Sequence, residues 1–166
     1  MAANALRQTD NCKIGLVVRI VAGLPLVAFG AMHLVGAMPM KPLVEAAGFP
    51  APGLMAVVAP LAQVVAGLML LSGAFARIGG LIAIGTMAGA IMTHMKIPND
   101  QWPMPTPDAP DALGAEPTFM LGIAAVVIAG AIYVLWKGAG AMSIDLRSSA
   151  GSKSASGTAS ADTSGG

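Results

Sequence analysis

Two histidines, two arginines and a glutamine stand within or at the edge of otherwise apolar stretches. In "RIVAGLPLVAFGAMHLVG", residues 19–36, Arg19, Gly23, Gly30 and His33 fall within about 80° of arc at 100° per residue, and Arg19 and His33 lie about 21 Å apart along the axis. In "LAQVVAGLMLLSGAFAR", residues 61–77, Gln63, Gly67 and Arg77 are spaced by four and ten and occupy an arc of about the same width. In lipid, polar groups face the interior of a helix bundle, and small residues mark where another helix comes close. Both stripes are therefore expected to be interior seams. Gln63 is expected to hydrogen-bond a neighbouring helix, and Arg19 and Arg77 to snorkel toward the surface while holding the topology.

The histidines support a second chemistry. His33 and His94 are predicted at similar depth and are expected to share one outer pocket, with Met32, Met38, Met40, Met92, Met95 and Met104 around them in sequence. Imidazole and thioether together suit Cu(I), and histidine with methionine suits haem iron. A copper or haem site built from His33, His94, Met38, Met40 and Met95 is one reading. Methionine as flexible apolar filler, with the histidines as satisfied structural groups, is the other.

What must position these residues is a membrane. Hydrophobic residues make up 55% of the chain and charged residues 10%, against about 25% charged in a soluble domain. Mean hydropathy is +0.74. Net charge is +1, which offers no basic footprint for nucleic acid. Four apolar runs, 14–36, 53–74, 78–95 and 118–137, each approach the roughly 20 residues needed to cross a bilayer. Their continuity excludes the alternation of a barrel strand, so helix is the expected form. The fold class is thus an all-α, integral membrane four-helix bundle. Pro25 and Pro60 are expected to kink the first two spans.

Arg7, Lys13, Arg77, Lys137, Arg147 and Lys153 fall on one side of that topology, and only Lys41 and Lys96 on the other. The positive-inside rule then places both termini in the cytoplasm. The first apolar run is too long for the core of a cleaved signal and is expected to be retained. The organisation follows: a cytoplasmic segment 1–13, a transmembrane domain 14–137, and a tail 138–166 whose "SSAGSKSASGTASADTSGG" composition predicts disorder. Between the first two spans, "KPLVEAAG" is expected to form one or two helical turns ended by Gly48. The segment 96–117 holds six prolines and four acids and cannot be regular helix; a lid over the outer end is one expectation for it. Cys12 is the only cysteine, so no intrachain disulfide or paired-thiol redox centre exists.

An arginine opening the first span, glycine four residues on, another glycine seven later and a polar residue three beyond that resembles the first helix of the DoxX family of small four-helix membrane proteins. "LVEAAGFPAP" resembles the family's short outer segment, "LAQVVAGLMLLSGAFAR" its second-helix block, and "AGAIMTH" the end of its third helix. The resemblance covers about Lys13 to Lys137. Two positions depart: His33 stands where the family commonly has lysine, and Gln63 where it commonly has glutamate. The resemblance implies a multi-pass protein of the bacterial inner membrane, in a family of which some members resemble the membrane subunit of thiosulfate:quinone oxidoreductase, others accompany redox enzymes and many have no assigned role.

Three functions stay open on these residues. One is a structural or accessory subunit that meets other membrane proteins through glycine faces. Another is a quinone-interacting oxidoreductase subunit in which Arg19, His33, Gln63 and His94 line an interhelical pocket, imidazole supplying a hydrogen bond and a proton near neutral pH. The third is the outer copper or haem site. No haem, flavin or thiol-pair motif is present, so the chain is not expected to be a complete enzyme alone; transport of a small hydrophobic molecule is a further possibility.

Overall fold

The computed structural model describes residues 13–97 and 117–138, together with residues 140, 143 and 144. Five helices order the described chain: α1 (Lys13–Leu34), α2 (Met40–Ala46), α3 (Pro52–Ser72), α4 (Ala76–Lys96) and α5 (Pro117–Lys137). Among the described residues there is no strand. The four long helices contain 22, 21, 21 and 21 residues, or roughly 31–33 Å at 1.5 Å per residue, which matches a bilayer's hydrocarbon core. All four are apolar enough to span a membrane. Their outward positions, such as Val17, Leu24, Leu61, Leu68, Leu81 and Ile132, are exposed large hydrophobics, as a lipid-facing surface requires. The proposed lid in 98–116, Cys12, Met104 and most of the 138–166 tail lie outside the described residues.

The helices alternate in direction. α1 packs on α3 and α5, and α4 packs on the same two, so α1 and α4 face each other across the bundle axis rather than side by side. One end of the bundle carries Lys13, Ser72, Ala76 and Lys137; the other carries Leu34, Pro52, Lys96 and Pro117.

Glycine sets the closeness of each seam, as expected where there is no hydrophobic force between helices in lipid and packing must do the holding. A Cβ on Gly67 would lie 2.6 Å from Val27 Cγ2, 2.8 Å from the Gly23 carbonyl and 2.9 Å from the Val27 nitrogen. The reciprocal Cβ on Gly23 would lie 3.0 Å from the Gly67 carbonyl. α1 and α3 therefore cross backbone to backbone. Gly30 repeats the contact one register up, 3.0 Å from the Pro60 carbonyl and 3.1 Å from Gln63 Cβ. Gly79 closes the α3–α4 seam against Ala66 and Met69, Gly80 the α4–α5 seam against Ala131, and Gly130 the α5–α1 seam against Ala22. Gly85, Gly89 and Gly122 have nothing within 4 Å of such a Cβ; they open outward.

The α3–α4 connection is the tightest. Gly73 at φ 68° accepts the left-handed turn that ends α3, its N–H donating to the Met69 and Leu70 carbonyls. Phe75, also left-handed at φ 49°, starts α4 by accepting from the Ile78 and Gly79 N–H groups. This break corrects the stripe read from sequence: Arg77 stands in the first turn of α4 and does not continue the Gln63–Gly67 face. α2 does form where helical turns are expected, and Gly48 at φ 67° follows it.

Candidate functional site

The structure gathers the polar residues into two places at opposite ends of the bundle. At the Lys13 end, Arg19 is 1% exposed. The guanidinium does not run out along the helix surface; it lies in the bundle beneath the Gly73 turn, where a Cβ on Gly73 would collide with Arg19 Nη1. That turn is the C-terminus of α3, whose carbonyls and negative dipole end favour a cation. The chamber is completed from the far end of the chain. After α5, Gly138 and Gly140 are buried with positive φ values of 82° and 75°, and Ser143 is 0% exposed. Ser143 Oγ donates to the Gly140 carbonyl at 2.9 Å, while its Cβ stands 2.5 Å from the position a Gly73 Cβ would take. The chain just beyond α5 thus tucks under the bundle and covers Arg19. Composition alone assigns this stretch to the tail; its only signal is a pair of glycines, 138 and 140, spaced for a turn.

At the Leu34 end the arrangement is looser. His33 is half-buried, and its Nδ1 donates to the Met38 carbonyl at 2.7 Å. The Met38 N–H in turn donates to the Met32 carbonyl, so the imidazole clamps the turn through Gly36 that ends α1. With Nδ1 carrying the hydrogen, Nε2 is the acceptor of the neutral ring. His94 is half-buried near the end of α4, in line with the buried Ala76, Ala83 and Met87 of the axis-facing side. The two imidazoles thus come from diagonal helices. Met95 is 79% exposed and Met92 is exposed, facing out, whereas Met38 and Met40 are half-buried on the connection after α1. Among the described residues no three His, Cys, Asp or Glu side chains group closely enough to hold a metal ion. The structure brings Met38 to His33 through its backbone rather than its sulfur.

Between these ends lies Gln63, at the midpoint of α3 and 4% exposed. Its Oε1 has no hydrogen-bond partner. The hydrogen bond to a neighbouring helix that its depth demands is not made. Around it the axis is filled by Leu26, Ala66, Met87 and Val127, whereas toward the Leu34 end the corresponding His33, Ala90, Ile91, His94, Met120 and Ile123 are only half-buried. The axis is thus more fully buried toward the Lys13 end than toward the Leu34 end, and Gln63 lies between the two levels. At the same end the connection from α1 meets α4: Leu43, Ala47 and Phe49 pack with Ile97 beyond α4, and Lys96 Nζ sits 4.8 Å from the Phe49 ring centroid.

A four-helix membrane bundle with glycine seams and a buried arginine at one end defines an integral membrane protein of the small multi-pass class. The family profile named DoxX matches residues 14–96, half of the 166-residue chain, and the chain belongs to the DoxX family. The match runs from α1 to the end of α4 and holds every seam and site residue from Arg19 to His94; α5 and the Ser143 cover lie beyond it. No curated protein and no solved structure matches the chain.

Proposed function

We propose that the protein is an accessory subunit of a larger, redox-linked membrane complex, lying in the bacterial inner membrane with both termini cytoplasmic. The observation that supports it is the division among its glycines. Gly23, Gly30, Gly67, Gly79, Gly80 and Gly130 are consumed inside the bundle, whereas Gly85 and Gly89 present an open GxxxG on the outer side of α4, with Gly122 open on α5. Such a face suits a helix of another protein, since close backbone approach is how helices bind in lipid. The redox link rests on the company that the family keeps. Gly85→Leu with Gly89→Leu is expected to leave the bundle folded, because neither Cβ meets anything, and to release the subunits that co-purify in mild detergent. Retention of every partner by this double variant overturns the reading. For orientation, a reporter fused after Gly166 is expected to be active in the cytoplasm and silent outside, following the basic residues flanking that side.

A second reading is favoured by the buried Gln63 Oε1, which has no hydrogen-bond partner. Gln63, His33 and His94 stand on three different helices, and such residues suit the polar head of a quinone-like molecule whose body stays in hydrocarbon. The chain would bind such a molecule for a partner that carries the electrons.

A further inference from the structure

We infer that Asp145 is the counter-ion of Arg19: a buried ion pair that latches the chain beyond α5 onto the Lys13 end of the bundle. This latch stands apart from the subunit and quinone readings and needs neither.

A guanidinium cannot shed its proton. Arg19, 1% exposed, is therefore a charge held out of water, and such a charge demands an anion close to it. The four spans cannot supply one, since α1, α3, α4 and α5 contain no aspartate or glutamate. The anion comes from a connection or from an end of the chain. Glu45 stands at the opposite end of the bundle, 3.7 Å from Lys41. The acids between 100 and 116 belong to the connection between Lys96 and Pro117, both of which also lie at that opposite end. Asp10, Asp145 and Asp162 remain.

The position of Ser143 singles out Asp145. The Gly73 Cβ position that collides with Arg19 Nη1 lies 2.5 Å from Ser143 Cβ, so serine and guanidinium are neighbours beneath one turn. Asp145 lies outside the described residues, but it follows Ile144 directly, and two residues span at most about 7 Å. Its carboxylate is within reach of Arg19 by chain length alone. Asp162 is far along the tail from Ser143. Asp10 precedes Lys13, whereas Arg19 sits about 9 Å along α1, so that carboxylate would have to double back into the bundle.

α4 favours an anion at the same place. Its first turn follows the Gly73 break almost directly, holds Arg77 and carries no acidic residue. The positive end of a 21-residue helix therefore lies beside the guanidinium. A carboxylate between the two answers both, and the left-handed Gly138 and Gly140 turn the chain back to deliver it.

The test is limited trypsin digestion of the full chain in mild detergent, with cleavage after Lys137 followed by mass spectrometry. Lys137 adjoins the buried Gly138; cutting there needs the chain beyond α5 to lift away, and the rate follows the open population. Asp145→Asn is expected to raise that rate roughly tenfold or more, less than complete loss of a buried partner because the amide can still accept a hydrogen bond. Asp10→Asn and Asp162→Asn should match the wild type. In an Arg19→Met background, which keeps the bulk without the charge, Asp145→Asn should change the rate little. An unchanged rate in Asp145→Asn overturns the proposal and points to an anion from outside the chain. A rise in Asp10→Asn instead moves the counter-ion to the N-terminal segment and overturns it as well. Equal acceleration in both backgrounds does the same, because Asp145 then holds the chain through another group. If Asp145→Asn alone yields no folded protein, combining it with Arg19→Met should restore folding, since no charge is left to compensate; failure of that rescue counts against the pair.

Discussion

Replacing Gly67 with leucine is expected to abolish the folded bundle, with loss of essentially all monodisperse protein after detergent extraction. The reason is what the new side chain meets. A Cβ at this position stands within 3 Å of the Gly23 carbonyl and the Val27 nitrogen, and backbone atoms of a packed helix cannot rotate aside as a side-chain tip can. Overpacking a core costs about 1–3 kcal/mol when side chains can adjust; here the helices themselves must part, and α1 and α3 lose their contact along the Gly23 and Gly30 crossings together. Gly122→Leu is the matched control, because nothing lies within 4 Å of its Cβ. Size-exclusion profiles and yields of the two variants in one detergent check the claim. Comparable yields would mean that α1 and α3 do not cross where the structure has them.

That contrast shows which features a single sequence carries. The four spans were legible because bilayer thickness demands about 20 apolar residues in a row and little else in a small protein resembles that. Gly23, Gly30 and Gly67 were legible too, since they share arcs with Arg19, His33 and Gln63. Gly85 and Gly89 look the same on paper and face outward. A helix that is apolar on all sides gives no stripe by which to choose its partners, so neither the diagonal placement of α1 and α4 nor the outward GxxxG could be read. Arg19 was read on an interior seam, but its cover was missed for a related reason. A snorkelling arginine and a covered one have the same sequence context on their own helix, and the cover comes from residue 143, over a hundred positions away. The stripe through Arg77 failed at a single residue: Gly73 ends α3 with a left-handed turn, and helical arithmetic carried across it has no meaning.

The cover over Arg19 yields the other large effect. Gly73→Ala is expected to lower the thermal midpoint severely, for two separable causes. One is conformational: at φ 68° an L-residue pays about 1–2 kcal/mol. The other is spatial, since the methyl would occupy the place of the guanidinium and press on Ser143. Displacing a buried charge from its surroundings is costly, on the order of 3–5 kcal/mol when a buried partner is lost. Only the spatial part depends on what fills the chamber. In an Arg19→Ala, Ser143→Gly background, itself destabilised, adding Gly73→Ala should therefore cost only the conformational share, and the cycle should show a coupling equal to the spatial share, about 3 kcal/mol or more, the upper end for groups in direct contact. Additive costs would place the guanidinium elsewhere. Truncation after Lys137 completes the argument: it leaves α1 to α5 whole but removes Ser143, and if the stretch beyond α5 seals the Lys13 end, the truncated chain should lose stability with Arg19 in place and lose much less in the Arg19→Ala background, where there is no buried charge left to cover.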